Sequence, residues 1–407
     1  MPNVREHVWI TGIGLVSSLG AGAAQHWQAL AETARVAPVL EMERFAPYTV
    51  HPLAGIDFAT QIPRTSDQRQ MDRWQKTGVY AAGLALADAG LSGDEDLLGR
   101  TNLCIAAGNG ERDLALDARI LGGTGSGCAE GGYLNQALAN GLRPTLYLGQ
   151  LSNLLAGNIS IVHKATGSSR TFKGEEMAGV SAVADAAARI EAGQGDVFLV
   201  GGAVNAERED ALLCAELAGA LYSGPYASVW QRGAHGGGMV PGSLGVFLVL
   251  EASDHARRRG AVPYACLSGV VSERSRRQPG DAAAAAGRLL HRLGAERDIG
   301  DGAVGVLSGA SGVEPATAEE RQFLADLATI RKTPAVRAWG SMLGHSLEAH
   351  FIAGLALAAL AISKDKFYPP FDTSDAERAT DARLERILVT AFGHWRGEAL
   401  ALVRPAW

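Results

Sequence analysis

Strand-like runs that end in glycine-rich turns recur along the whole chain, and they constrain its fold more than any other feature of the sequence. They include Val8-Trp-Ile-Thr-Gly-Ile-Gly14, Asn102-Leu-Cys-Ile-Ala-Ala-Gly108, Asp196-Val-Phe-Leu-Val-Gly-Gly202 and Leu244-Gly-Val-Phe-Leu-Val-Leu250. Helical stretches rich in alanine lie between them, for example residues 77–89 and 178–192. Buried strands that alternate with helices indicate layers of helices around a largely parallel or mixed sheet. The chain is therefore predicted to be an α/β protein.

The composition excludes several classes of function. With 407 residues, of which 47% are hydrophobic, the chain can bury a large core, and its net charge of −6 favours neither nucleic acid nor an anionic membrane as partner. The N-terminus lacks an apolar signal segment, and the longest apolar helical run, residues 351–362, is too short for membrane insertion. The chain is therefore predicted to be cytoplasmic.

The four cysteines, Cys104, Cys128, Cys214 and Cys266, are scattered and lack the spacing of metal ligands. Reduced thiols are therefore expected, and no metal is predicted. Cys104 and Cys266 lie in apolar strand-like runs, which favours packed core thiols over reactive ones.

The opening segment Gly12-Ile-Gly-Leu-Val-Ser-Ser-Leu-Gly20 resembles a dinucleotide-binding turn only in part. Its third small position is Ser17, and no acidic ribose ligand follows at the right distance in a second strand. Close packing of a strand on a helix is the better interpretation of these glycines, so no cofactor is predicted.

The two halves of the chain are similar in plan. In each half, a tight turn leads into an alanine-rich helix, and a strand that ends in glycine follows. An internal duplication is therefore predicted, with an N-terminal half over residues 1–251 and a C-terminal half over residues 252–407.

The turn before the first of these helices has the form of an elbow that carries a nucleophile. Acyl-transfer enzymes place a nucleophile on such an elbow because the N-terminus of the helix stabilises negative charge. Here the elbow offers Glu175 and Glu176, and neither serine nor cysteine stands at its tip. The sequence thus predicts a catalytic scaffold without its nucleophile.

Several ordered motifs together resemble the β-ketoacyl-acyl-carrier-protein synthases, the condensing enzymes of the thiolase fold. The motifs are Ile10-Thr-Gly-Ile-Gly-Leu-Val-Ser-Ser-Leu-Gly20, Asn153-Leu-Leu-Ala-Gly-Asn-Ile-Ser160, Gly193-Gln-Gly-Asp-Val-Phe-Leu-Val-Gly-Gly-Ala203, Gly242-Ser-Leu-Gly-Val-Phe-Leu-Val-Leu-Glu251 and Met342-Leu-Gly-His345. The resemblance covers nearly the whole chain. It implies a five-layer αβαβα fold of two duplicated halves, in which helices 176–192 and 346–361 are buried between two sheets.

The resemblance also implies a degenerate active site. The family's cysteine position corresponds to Glu176, its first histidine to Ser308 and its lysine to Gly340, whereas its second histidine is retained as His345. The glycine-rich loop near the C-terminus has become Gly393-His-Trp-Arg-Gly397. His394 takes the place of an aromatic gate residue, and its backbone N–H is predicted to form an oxyanion-type pair with that of Glu176.

These replacements predict the loss of condensing activity, because condensation needs a thiolate that holds the acyl chain as a thioester. An acyl anhydride on Glu176 would hydrolyse. Glu176 is also interpreted, more simply, as a carboxylate favoured at the start of a helix. Either the backbone N–H groups of the elbow or a nearby cation would anchor it, and Arg170 and Lys173 are the local candidates for the cation. His345 is equally compatible with a structural core histidine.

The leading hypothesis is a non-condensing partner of an active synthase, similar to the chain-length factors. Acyl carrier protein and an active synthase in a heterodimer, or a second copy in a homodimer, are the expected partners. The segment at residues 167–176 also resembles that of synthase-like proteins from alphaproteobacterial clusters for very-long-chain lipid A acyl groups, which favours fatty-acid over polyketide synthesis. The alternatives are a malonyl-carrier-protein decarboxylase that makes primers and a non-catalytic scaffold that binds carrier protein.

Overall fold

A computed structural model describes residues 7–32, 37–124, 131–142, 146–294, 304–330 and 334–407. The strands are β1 (Val8–Ser17), β2 (Gly20–Ala21), β3 (Asn102–Ala106), β4 (Ser169–Phe172), β5 (Val197–Val204), β6 (Leu244–Ala252), β7 (Ala265–Glu273), β8 (Val304–Ser308), β9 (Ala335–Ala338), β10 (Arg386–Phe392) and β11 (Glu398–Arg404). They form a mixed sheet, as the strand pattern predicts.

The α-helices of the described residues include short surface helices and longer helices that pack on the sheet. They are α1 (Ala23–Trp27), α2 (Thr65–Gln70), α3 (Arg73–Asp88), α4 (Glu95–Arg100), α5 (Leu114–Thr124), α6 (Gly131–Gly141), α7 (Leu146–Gly149), α8 (Leu154–His163), α9 (Glu176–Glu191), α10 (Glu209–Leu217), α11 (Ser253–Arg258), α12 (Asp281–Arg292), α13 (Ala316–Ile330), α14 (Gly340–Leu343) and α15 (Leu347–Ser363). Among these helices, none combines the length and the hydropathy that a membrane span requires.

The strand order repeats in the two halves. It runs β4-β3-β5-β6-β1 in the first half and, read from the opposite edge, β9-β8-β10-β11-β7 in the second. Apart from the short β2, each half thus has the order third, second, fourth, fifth, first, with the same parallel and antiparallel pairs. The halves join where Val8–Ile10 of β1 pairs antiparallel with β7. The duplicated plan is therefore confirmed. The boundary between residues 251 and 252 falls near the end of β6 and stays a prediction.

Two central helices, α9 and α15, pack against each other and contact strands of both halves. Helices α3 and α8 cover the outer face of the first half, and α12 and α13 cover that of the second. Each half of the continuous sheet forms one layer, so the order of layers is helix, sheet, helix, sheet, helix. The predicted thiolase-like αβαβα fold is confirmed, and the two buried helices begin and end within two residues of their predicted limits.

Small residues allow the layers to approach closely. A Cβ atom on Gly14 of β1 would lie 1.9 Å from the carbonyl oxygen of Ala81 in α3, and one on Gly12 would lie 2.4 Å from that of Ala85. These glycines therefore serve strand-to-helix packing, as the sequence suggests.

Gly179 permits the crossing of the two central helices. A Cβ atom there would lie 2.5 Å from the backbone oxygen of Glu348. Gly179→Ala is expected to reduce the free energy of unfolding by about 1–3 kcal/mol, because a buried helix must shift to relieve the clash. Urea denaturation measures the loss. Gly287→Ala in α12 is the matched control: its added methyl meets no heavy atom within 4 Å, so it should be neutral or stabilising. Equal effects of the two substitutions would contradict this account of the crossing.

Candidate functional site

The elbow between β4 and α9 has an unusual backbone conformation. Gly174 has φ 130°, and Glu175 has φ 51° and ψ −135°, which is uncommon for a residue with a side chain. Helix α9 then begins at Glu176. The side chain of Glu175 forms an ion pair with Arg396, at 3.2 Å between Oε2 and Nη2. The elbow thus turns the Glu176 side chain into the protein at the N-terminus of a buried helix.

Two histidines from distant parts of the chain contact the Glu176 carboxylate. Its Oε1 lies 3.0 Å from Nε2 of His345 and 2.7 Å from Nδ1 of His394. His345 lies just before α15, and His394 lies in the loop after β10. All three side chains are at least 96% buried. Three segments therefore meet at one oxygen atom: the first residue of one central helix, the turn before the other and the C-terminal loop.

The charges in this cluster follow from burial and hydrogen bonding. Burial alone would raise the pKa of Glu176, but the hydrogen bonds from His345 and His394 outweigh it and hold that pKa well below its ordinary value. Burial lowers the pKa of His345 despite the adjacent carboxylate. The cluster thus contains an ionised Glu176, which the positive end of the α9 dipole also favours, and a neutral His345 that donates its Nε2–H.

The two cations predicted as candidate anchors of Glu176 bind elsewhere, so that part of the prediction is wrong. Arg170 instead forms an ion pair with Asp185 at 2.5 Å, and Lys173 donates to Oδ1 of Asn109 at 2.9 Å. Imidazole N–H groups replace these cations because the N-terminus of α9 lies in the interior, whereas Arg170 is exposed on β4. His394 contributes its side chain to the cluster. The oxyanion-type pairing of the Glu176 and His394 backbone N–H groups stays a prediction.

Ser308, at the end of β8, contacts a different carboxyl group. Its Oγ donates to Oε1 of Glu320 at 2.6 Å and accepts a hydrogen bond from the backbone N–H of Ala310 at 3.2 Å. Thr390 Oγ1 donates to the same Glu320 oxygen. The structure therefore brings Glu176, His345 and His394 together, and it gives Ser308 a separate buried partner.

His350 is a site neighbour that the sequence analysis missed. Its ring stacks on Trp339 with centroids 4.7 Å apart, and it lies 4.3 Å from the ring of His345. A Cβ atom on Gly340 would lie 3.8 Å from Cε1 of His350, so this imidazole occupies the space beside that glycine. Burial holds the pKa of His350 well below its ordinary value. The available signal was a histidine, with Glu348 beside it, in the first turn of a helix that is apolar from Phe351 to Ile362.

The loop at residues 393–397 closes over the elbow. The N–H of Gly393 donates to the carbonyl of Gly397 at 3.0 Å, and Arg277 donates to the carbonyl of Gly393 at 2.5 Å. With the ion pair between Arg396 and Glu175, these contacts hold His394 against Glu176. The chain itself thus covers the elbow.

A cavity of about 590 Å³ lies beside the elbow. Its lining residues include His345, Glu348, Trp395 and Met239. Glu176 is not among them. Burial raises the pKa of Glu348 to about 7. The volume is in the range of small-molecule sites. Glu175 of the elbow also lines the cavity, whereas the side chain of Glu176 is buried.

The cysteines are distributed largely as predicted. Cys104 and Cys266 are buried core thiols, and burial raises the pKa of Cys104 to about 12. Cys214 is exposed in α10, and Cys128 lies outside the described residues. Neither buried thiol lies at the elbow, so neither replaces the missing nucleophile there.

Comparison with known proteins identifies the family. The family model described as "Beta-ketoacyl synthase, N-terminal domain" matches residues 5–256. The chain is 30% identical over 280 residues to 3-oxoacyl-[acyl-carrier-protein] synthase 2 of Rhizobium meliloti, and 30% identical over 280 residues to the tetracenomycin polyketide synthase ketoacyl synthase beta subunit of Streptomyces glaucescens. Each match covers 65% of this chain and 63% of the relative's length.

The fold comparison agrees with the sequence comparison. The structure described as "The ishigamide ketosynthase/chain length factor" superimposes with a TM-score of 0.79 at 22% identity, and the match covers 99% of this chain and 100% of that one. The layers, the duplicated strand order and the elbow define a protein of the thiolase fold. Within that class, the chain belongs to the β-ketoacyl synthase family.

Proposed function

We propose that this chain is a non-condensing member of its family that acts as a chain-length-factor-like partner of an active synthase. One observation carries the proposal: at the elbow, where the family carries its nucleophile, a buried Glu176 carboxylate is held by His345 and His394. On this proposal Glu176, Ser308 and Gly340 are degenerate equivalents of the family's cysteine, first histidine and lysine.

The chemistry of the elbow disfavours condensation. A growing acyl chain must be held as a thioester, because a thiolate is both a good nucleophile and a good leaving group. An ionised carboxylate that accepts two hydrogen bonds is a weak nucleophile, and an anhydride formed from it would hydrolyse. The burial of the Glu176 side chain adds a steric obstacle.

The same contacts disfavour the decarboxylase alternative. Loss of CO₂ from a malonyl thioester needs free hydrogen-bond donors that point at the developing enolate oxygen. The Nε2–H of His345 already donates to Glu176. A glutamate that imitates a neutral amide would need a raised pKa, whereas the pKa of Glu176 is lowered. Primer synthesis by decarboxylation therefore ranks second, behind the partner role.

The edge strand β4 supports a partner role. Strand β4 ends the sheet order, pairs with β3, and exposes Ser169 and Arg170. An open edge next to the elbow is suited to pairing with another chain. We propose that the partner is an active β-ketoacyl synthase in a heterodimer, with self-pairing in a homodimer as the alternative, and that the pair works on acyl carrier protein in the cytoplasm.

The relatives do not separate fatty-acid from polyketide synthesis. The Rhizobium and Streptomyces proteins have the same sequence identity to this chain. The name of the first refers to the synthesis of 3-oxoacyl-acyl-carrier-protein, and that of the second to polyketide synthesis. We favour very-long-chain fatty-acyl synthesis, as in lipid A, on the resemblance of residues 167–176. A carrier-protein-binding scaffold without any role in the acyl channel is the third possibility.

Reconstitution tests the partner role. The purified protein is expected to give no β-ketoacyl product from acyl- and malonyl-carrier protein, and Glu176→Cys should not restore it, because Ser308 and Gly340 supply neither imidazole nor amine. Co-purification with an active β-ketoacyl synthase of the same organism should give a heterodimer whose product length differs from that of the synthase alone. Mass spectrometry of carrier-bound products measures both results.

Three outcomes would contradict the proposal. Condensation by the isolated wild-type protein would overturn the account of the elbow. Rapid acetyl-carrier-protein formation that disappears in His345→Ala would support the decarboxylase instead. Failure to associate with the synthase, together with binding of carrier protein, would favour the scaffold.

A further inference from the structure

Three potential metal ligands converge at the elbow, although they are far apart in the sequence. Glu176 lies 169 positions from His345 and 218 positions from His394. The carboxylate oxygen and the two ring nitrogens nevertheless lie within 4.8 Å of one another. Among the described residues, these three form the one group of histidine, cysteine, aspartate or glutamate side chains close enough to share an ion.

The set has the chemistry of a transition-metal site. Two imidazoles and one glutamate bind zinc in hydrolytic enzymes, and two histidines with one carboxylate bind non-haem Fe(II). We propose that Glu176, His345 and His394 together bind one divalent first-row transition metal ion. The sequence predicts no metal here because neither the residue spacing nor the cysteines indicate one.

Binding of an ion would require the three ligand atoms to adjust their spacing. Tetrahedral zinc with ligand bonds of about 2.0–2.1 Å separates its ligand atoms by roughly 3.3 Å. The Glu176 oxygen lies 3.0 Å from the His345 nitrogen and 2.7 Å from the His394 nitrogen, so these two pairs must separate by a few tenths of an ångström. The two ring nitrogens, which lie within 4.8 Å of each other, must reach the same spacing. The ion would take the place of the two hydrogen bonds.

The backbone holds the ligands in position. The N–H of His345 donates to the carbonyl of Val240 at 2.8 Å, and its carbonyl accepts from Gly242 at 3.0 Å. The contact between Gly393 and Gly397 closes the loop that carries His394. Pre-positioned ligands lose little conformational entropy on binding, which favours a tight site.

Hydrogen bonding alone leaves the two rings partly unsatisfied. Among the described residues, Nδ1 of His345 and Nε2 of His394 are buried without a hydrogen-bond partner. These are the nitrogens opposite the proposed ligand atoms, so once the ion is bound they carry the ring N–H groups, for which a water would have to act as acceptor. His345 also borders the cavity, which offers a path for the ion and room for a water as a further ligand.

The ion would tie the C-terminal loop to the two central helices. This role does not depend on the proposed partner function, because the ion would bind within this chain whether or not the chain pairs with another. Metal binding and product length are also measured separately, so the failure of one proposal leaves the other standing.

Zinc alone is the probe for the test. The full chain, stripped with a chelator and dialysed, is expected to bind one equivalent of Zn²⁺ in competition with a chromophoric chelator. Glu176→Gln and His394→Ala should each weaken binding by more than the roughly 10–100-fold typical of lost supporting contacts around a metal. His235→Ala, which removes an exposed imidazole, is the matched control and should bind zinc as the wild type does.

A second measurement uses only the wild type, in case a variant fails to fold. Co²⁺ added to the stripped protein should give visible d–d bands without the intense near-ultraviolet charge transfer of a thiolate ligand. Absence of stoichiometric zinc binding would overturn the proposal. So would zinc binding that survives Glu176→Gln and His394→Ala unchanged, or a cobalt spectrum dominated by thiolate, which would place the ion at a cysteine.

Discussion

Glu176→Ala is expected to reduce the free energy of unfolding by roughly 2–5 kcal/mol, because it leaves two buried N–H donors without an acceptor. The donors are Nε2–H of His345 and Nδ1–H of His394, which share one carboxylate oxygen. The truncation also leaves space between the N-terminus of α9 and the C-terminal loop. Urea unfolding in the presence of a chelator measures the loss without a contribution from metal.

Glu176→Gln is the conservative comparison for this prediction. It keeps a side-chain oxygen that can accept from both rings, so its loss of stability should be clearly smaller than that of alanine. Glu175→Ala is the control at the neighbouring position, where the ion pair with Arg396 is partly exposed and worth at most about 1 kcal/mol. If Glu176→Ala were as stable as the wild type, the cluster would contribute nothing to the fold.

Glu320→Gln is expected to remove a large part of the pH dependence of stability. Burial, only partly offset by hydrogen bonds from Ser308 and Thr390, raises the pKa of Glu320 from 4.5 to about 7. The folded protein therefore holds this proton more tightly than the unfolded chain. Stability should fall as the pH rises from about 4.5 to about 7, by up to about 3 kcal/mol from this group.

The glutamine variant cannot ionise, so this contribution should vanish. Its free energy of unfolding should exceed that of the wild type by more at pH 8 than at pH 4.5, as measured by denaturant titration at both values. Burial also raises the pKa values of Glu348 and Glu377 to about 7, so some pH dependence should remain. Glu385→Gln, an exposed substitution, should leave the pH profile unchanged. Parallel profiles of Glu320→Gln and the wild type would contradict the prediction.

The sequence predicted the packing of the interior better than it predicted the contacts at the elbow. The two central helices, the close approach at Gly12 and Gly14 and the buried Cys104 and Cys266 were all predicted. Each depends on a local pattern, such as the period of apolar residues or a run of small side chains, which packing then uses directly. The repeated strand order follows from the duplication seen in the sequence.

The partners of individual polar side chains were less predictable. Arg170 and Lys173 are close to Glu176 in sequence, but they project elsewhere and bind Asp185 and Asn109. Ser308 was placed in the active site by resemblance, and its hydroxyl binds Glu320. His350 was not predicted to lie at the site, although its ring packs between those of Trp339 and His345.

The sequence by itself determined the layered α/β fold, the family and the absence of a cysteine at the elbow, because these depend on residue types and their periodicity. Only the tertiary structure decided that His394 reaches Glu176 with its side chain and that a third imidazole lies beside His345. The physical reason is that these contacts join chain segments brought together by the packing of two helices and the closure of one loop. The direction of a side chain at such a junction is set by its neighbours in space, which residue spacing does not record.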